Sequence, residues 1–323
     1  MTSRERFRRT MDFGRPDRVP WLEEGLRDDV VRRWRRQGLG ARVEPAAVFE
    51  YDLRERIELD LGPRPRIGSG PLCPADLPVL RRRLDSADPA RLGTDWVSRV
   101  QGWRHREHIL ELPLHHGLFL TLGVGDWTSL EKVLYMLADE PRAAAGIMRL
   151  HGRLAAELAD RVLGEVDVDF ASFSEPIGGN NGPMISSAMY RRIVLDSYAP
   201  IIDVLRRRGV RTIVYITYAN ARALLRDVVA AGFNALWAIE ADSSAMDYLA
   251  IRREFGPALR LIGGIDLDWL MEPRQELERQ MRRVVPPLLA EGGYIPLADG
   301  RVRASVPFAH YRAYRRLLEE LTA

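Results

Sequence analysis

From about residue 110 onward, short apolar runs alternate with long amphipathic stretches. Leu112–Phe119 reads as a strand, and Leu130–Leu163 carries a helical pattern broken at Pro141. Asp167–Phe173 alternates acidic and apolar positions and predicts a strand, followed by helical spacing over Ser187–Arg208. The rhythm continues with strands at Thr212–Thr217, Ala235–Ile239, Leu259–Ile262 and Tyr294–Leu297. Helices fall at Ala221–Ala231, Met246–Phe255, Pro273–Leu289 and Ala309–Leu321. An earlier strand is predicted at Arg18–Leu22, with a helix at Asp28–Gln37, and an eighth strand near Ile57–Leu61. Strands separated by long helices imply right-handed crossovers and a parallel sheet. Eight such units predict an α/β fold of the (β/α)8 TIM-barrel type, a single domain over residues 1–323. The Pro/Gly-rich stretch Gly62–Pro78 reads as a surface connection within it.

An open dinucleotide-binding sheet is disfavoured, because no G-x-G-x-x-G joins a strand to a helix. A phosphate loop of the G-x-x-x-x-G-K type is excluded, since Lys132 is the only lysine. The composition, 46% hydrophobic and 29% charged over 323 residues, rules out disorder and coiled coil for the whole chain. One cysteine, Cys73, excludes a disulfide scaffold or a thiolate metal cage. No run approaches the roughly 20 apolar residues of a membrane span, and Met1–Thr10 lacks the apolar core of a secretory signal. A cytoplasmic protein with no membrane partner is expected. Net charge is only +3, and the many arginines sit beside acids or on helical faces without interleaved aromatics, so no nucleic-acid partner is expected.

Active sites of barrels gather at the C-terminal ends of the strands. That rule selects Glu23 and Glu24, His115 or His116, Glu175, the Gly178–Pro183 loop with Asn181, Tyr218 with Asn220, Glu240 with Asp242, Asp266 after Gly263-Gly264, and Asp299 with Arg301. Carboxyl groups withdrawn from water gain a raised pKa and suit acid–base work. For each of them, capping the next helix or pairing with an arginine is the competing role. His115 and His116 are neighbours on a strand, so at most one is expected to face the barrel axis. The glycines at 263 and 264 allow a ligand or a backbone to come close. The Gly178–Pro183 loop offers N–H groups to an anion or to the cap of the next helix. Close-spaced metal ligands are lacking, and the Met and Trp residues at helical spacing read as core.

Several landmarks resemble the uroporphyrinogen decarboxylase superfamily and occur in its order. They are Arg4-Glu5-Arg6-Phe7 through Pro16-Asp17-Arg18-Val19-Pro20-Trp21, then Asn181-Gly182-Pro183-Met184-Ile185-Ser186 with Met189-Tyr190. Leu261-Ile262-Gly263-Gly264-Ile265-Asp266 and Glu291-Gly292-Gly293-Tyr294-Ile295-Pro296 complete the set. The resemblance implies a (β/α)8 barrel and either cofactor-free decarboxylation or zinc-dependent methyl transfer from corrinoids or to thiols. Two departures bear on the choice. Trp21-Leu22-Glu23-Glu24-Gly25 stands where the decarboxylase has an arginine-bearing motif, so a substrate other than uroporphyrinogen is expected. Thr217-Tyr218-Ala219-Asn220 stands where the methyltransferases carry His-x-Cys, keeping only what resembles the family asparagine.

The expectation is a lyase of decarboxylase type acting on a small or medium organic acid or an electron-rich ring, with no cofactor and no metal. Glu175, Glu240 and Asp266 are the expected acid–base groups. Glu23, Glu24, His116, Asn181, Tyr218, Asn220, Asp299 and Arg301 are the expected substrate contacts, with Arg301 as carboxylate anchor. Methyl transfer is the alternative, with a metal on His116 and Glu175 or Glu240; a non-catalytic ligand-binding barrel is the third reading. The partner is a small molecule, and a homodimer is left open.

Overall fold

Seven strands organise the computed structural model, which describes residues 1–68, 70–240 and 244–323. They are β1 (Arg54–Arg56), β2 (Ile109–His115), β3 (Phe170–Glu175), β4 (Ile213–Tyr218), β5 (Ala235–Ile239), β6 (Arg260–Ile265) and β7 (Tyr294–Ala298). Apart from short β1, these are apolar runs buried along nearly their whole length, as strands covered on both faces must be. The chain divides into two compact units. A terminal unit comprises Met1–Arg54, Glu107–Ile109 and Ala235–Ala323, and a middle unit comprises Glu55–Arg106 and Leu110–Asn234.

In the middle unit, β2, β3 and β4 pair in parallel, with Leu112 opposite Ala171 and Glu175 opposite Thr217. The predicted break at Pro141 separates helices Trp127–Asp139 and Pro141–Glu165. The long helix buries Ile147, Met148, Leu154 and Leu158 against the core. In the terminal unit, β5, β6 and β7 pair in parallel, with Leu236 opposite Leu261 and Ile262 opposite Ile295. Helices Tyr248–Phe255, Arg274–Glu291 and Phe308–Thr322 follow these strands in turn.

Three expectations fail near the N-terminal half. Arg18–Leu22 forms no strand. Pro20 has no N–H to give a ladder, and the Trp21 amide donates instead to the Asp52 carboxylate at 2.8 Å while its carbonyl accepts from the Asp52 amide. The strand expected at Ile57–Leu61 lies at β1, just before it. The strand expected at Leu112–Phe119 starts earlier and ends at His115. Gly117, at φ +86°, turns the chain there, and a Cβ at that position would lie 2.7 Å from Glu175 Oε1. Among the described residues, apart from a two-stranded hairpin within Gly178–Pro183, seven strands form, one fewer than eight strand–helix units require.

Candidate functional site

The segment after Pro20 buries Trp21 and Leu22 and brings the next two residues, Glu23 and Glu24, to the wall of a cavity in the terminal unit. Its volume is about 810 Å3, within the range of roughly 300–1,000 Å3 that takes small-molecule ligands. Arg32, Arg35, Tyr51 and Arg54 share that wall.

Glu23 is half-buried and accepts hydrogen bonds from the Tyr311 hydroxyl and, at 3.0 Å, from the Glu24 amide. Tyr311 in turn meets the Tyr51 hydroxyl at 3.1 Å, and the buried Arg315 guanidinium lies over the Tyr51 ring at 4.5 Å. Burial pushes the Glu23 carboxyl above its ordinary range; the Tyr311 hydrogen bond and the Arg315 charge oppose that rise without cancelling it. The Tyr51 phenol is pushed up to about 12, first by burial and then by the Glu23 charge. Glu24 differs from its neighbour, since Arg54 pairs with it at 3.2 Å. The two adjacent glutamates thus differ: burial biases one toward its protonated form, and the other is paired with a cation. Arg35 is paired with Glu44 at 3.0 Å, and Asp52, also on the wall, with Arg6 and Arg18. Among the described residues Arg32 has no such acidic partner.

Glu240, Asp266, Asp299 and Arg301 also belong to the terminal unit. Glu240 is exposed, with φ at +48°, and its amide donates to the Asp299 carbonyl at 2.7 Å. Asp266 caps the turn Leu267–Leu270 by accepting from the Asp268 amide at 2.9 Å. Asp299 is buried and accepts from the Leu267 amide at 2.9 Å. Asp266 and Asp299 line one cavity of only about 20 Å3, room for about one water. Arg301 is exposed. Asp242 lies outside the described residues. The close approach that Gly263 and Gly264 permit is taken by Tyr248. Its ring would sit 2.6 Å from a Cβ on Gly264, and its hydroxyl donates to the Ile262 carbonyl at 2.6 Å.

The remaining candidates belong to the middle unit. Glu175 closes β3 and is fully buried. Its Oε1 accepts from the Leu118 amide at 2.8 Å and its Oε2 meets the Tyr198 hydroxyl at 2.7 Å; burial, opposed by those two bonds, pushes its pKa up to about 7. The Tyr198 hydroxyl also stands 3.2 Å from His115 Nδ1. His115 closes β2 and His116 follows it directly. β2 shifts register between Pro113 and His115 and ends there, and both rings line one cavity. The Gly178–Pro183 loop forms a two-residue hairpin with Asn181 exposed at its tip, and the Gly179 carbonyl accepts from the Asn220 amide at 3.3 Å. Tyr218 is half-buried at the end of β4, and Asn220 accepts from the Arg222 amide at 3.1 Å. The three expected acid–base groups therefore divide between the units, Glu175 in one and Glu240 with Asp266 in the other. What sequence reasoning missed is Tyr51, Tyr311 and Arg315 around Glu23. The last two lie in the closing helix predicted at Ala309–Leu321, and no local signal marks either as a neighbour of Glu23.

Parallel strands linked by helices, with acidic and basic groups around a ligand-sized cavity, define an α/β fold of the kind enzymes use. The sequence model for uroporphyrinogen decarboxylase matches residues 124–314, more than half of the chain, and the chain belongs to that family. A methyltransferase from Methanosarcina mazei shares the fold, with a TM-score of 0.61 at 12% identity over 99% of both chains. Xylanase B from Clostridium stercorarium F9 aligns over 68% of this chain and 76% of its own, at 12% identity and a TM-score of 0.39. No curated protein matches the sequence. Among the described residues no helix is long and apolar enough to cross a membrane.

Proposed function

We propose that the chain is a cofactor-free carbon–carbon lyase of decarboxylase type, acting in the cytoplasm on a small or medium organic acid or electron-rich ring other than uroporphyrinogen. A closed (β/α)8 barrel spanning residues 1–323 as one domain is part of that proposal. The observation that carries it is Glu23: a carboxyl group that burial biases toward its protonated form, on the wall of a ligand-sized cavity that arginines also line.

The residues divide the work as follows. Arg32 holds a substrate carboxylate by charge-assisted hydrogen bonds, and Arg54, already neutralising Glu24, keeps that approach free of repulsion. Protonated Glu23 delivers its proton to a substrate carbon, which creates an electron sink. The C–C bond to the carboxylate then breaks, its electron pair flows into the sink, and CO2 leaves. Tyr311 stabilises the Glu23 carboxylate left behind. A second proton, drawn from water, then adds to the carbon that lost CO2, and Glu23 takes back the first proton from the framework, which restores the ring and resets the acid. Glu175, Glu240 and Asp266 are the acid–base groups the sequence suggests; the complete burial of the first, the exposure of the second and the capping role of the third favour Glu23 over them.

Methyl transfer is the second reading, favoured by the fold shared with the Methanosarcina mazei methyltransferase. A thiolate-held zinc does not fit this donor set. Tyr218 and Asn220 stand where the ligands would be, Asn220 is engaged with Arg222, and Cys73, the only thiol, is exposed elsewhere. Nor is Glu175 open as a ligand beside His116, both its oxygens being engaged. The test is CO2 release from a panel of aromatic and aliphatic carboxylic acids, run beside a methyl-transfer assay. The lyase reading expects CO2 from at least one acid and none from the same acid with the Glu23→Gln variant. Methyl transfer without CO2 would overturn it, and binding without turnover of either kind would favour a ligand-binding protein.

A further inference from the structure

A separate cavity of about 230 Å3 in the middle unit is lined by His115, His116 and His151 among Leu61, Leu114 and Leu120. It is smaller than the roughly 300–1,000 Å3 of pockets that take drug-sized ligands, so a fragment-sized molecule is its scale. Two of its histidines are anomalous. His115 and His151 are only 4% and 9% exposed, yet Nε2 of each is buried with no hydrogen-bond partner. Buried polar atoms are nearly always paired, and an orphaned one calls for an explanation.

The other nitrogen of His115 fixes what its Nε2 offers. The Gly117 amide donates to His115 Nδ1 at 2.9 Å, so Nδ1 is an acceptor and the proton of the neutral ring sits on Nε2. Tyr198 approaches the same Nδ1 from its Glu175 side and leaves that assignment unchanged. His151, kept neutral by burial, presents a lone pair at Nε2 in the tautomer whose proton sits on Nδ1. Burial keeps both rings neutral at pH 7, lowering His115 well below its ordinary range and His151 to about 4. The cavity thus combines leucine walls with one unused donor and one unused acceptor.

We infer that this cavity binds a small uncharged phenol, whose ring packs against Leu61, Leu114 and Leu120 while its hydroxyl accepts from His115 Nε2–H and donates to His151 Nε2. One oxygen then satisfies both orphaned atoms. A carboxylate would bring a full negative charge among leucines and neutral rings, with no arginine or lysine among the described residues of the lining to compensate it. A metal ion would need the protonated Nε2 of His115 to become a lone pair, at the cost of its bond from Gly117. This inference does not depend on the reading of Glu23.

The test titrates the full-length protein with phenol at pH 7.5, following the histidine ring nitrogens by NMR, with toluene, benzoate and zinc as separate arms. The expected result is saturable binding of phenol that shifts the His115 and His151 signals, with toluene and benzoate at least tenfold weaker. Ala155→Leu, which fills the cavity from the helix side while leaving both histidines in place, is expected to abolish the phenol response with the fold intact. His151→Phe is expected to do the same. No saturable binding, toluene binding as tightly as phenol, one-to-one zinc binding that shifts both rings, or an unchanged phenol response in Ala155→Leu would each overturn the inference.

Discussion

Tyr311 donates its hydroxyl proton to Glu23 across 288 positions of sequence, tying the C-terminal helix to the cavity wall near the N-terminus. That bond favours the ionised carboxylate, while burial favours the protonated one, and burial prevails. In the proposed lyase this bias makes Glu23 the acid, and Tyr311 the partner that stabilises the anion it becomes.

The sign of the pH dependence follows. An acid with a raised pKa is active below that pKa and loses activity as pH rises through it. Tyr311→Phe removes the bond that lowers the pKa, so the alkaline limb of kcat/KM is expected to move to higher pH. A 13C titration of the Glu23 side chain would report the same displacement without substrate.

Arg32 is expected to act in binding. Arg32→Ala should raise KM about tenfold with little change in kcat, the scale of losing one charge-assisted hydrogen bond. Steady-state kinetics on the acid identified by CO2 release would check it. A fall in kcat at constant KM would assign Arg32 to the chemical step instead.

Glu175 governs stability. Its pKa rises from 4.5 to about 7 on folding, so the folded state binds the proton more tightly than the unfolded chain. The associated stabilisation is complete below pH 4.5 and is lost as pH rises through about 7. The full change is about 3 kcal/mol. Urea unfolding of wild type should therefore weaken over that interval relative to Glu175→Gln, whose own curve should be flatter there.

Gly117→Ala is expected to destabilise the protein by about 2 kcal/mol or more, adding the cost of a side chain at positive φ to that of overpacking. The new Cβ would meet Glu175 Oε1 and the Ser174 carbonyl at 2.7 Å each. Thermal unfolding would measure it.

Local patterning made most of the later elements legible: Ala235–Ile239 matches β5 residue for residue, and the break at Pro141 falls where proline chemistry requires. Arg18–Leu22 misled because its alternation suits a strand, while its actual partner is the side chain and backbone of Asp52, which no local pattern reveals. The glycine pair at 263 and 264 signalled a close approach correctly but not that Tyr248 makes it. Glu23 was legible as a site residue; its raised pKa was not, because burial and the Tyr311–Tyr51–Arg315 surroundings come from tertiary packing. That His115 and His116 line one cavity was not legible, because the register shift before His115 and the end of β2 at that residue come from pairing with β3.

The most direct test is single-turnover CO2 release by wild type and Glu23→Gln on the same acid at the same pH. Loss of a general acid predicts a fall of about 10²–10⁴-fold in the variant, with unchanged fold and substrate affinity. A variant that releases CO2 as fast as wild type would contradict the assignment of Glu23.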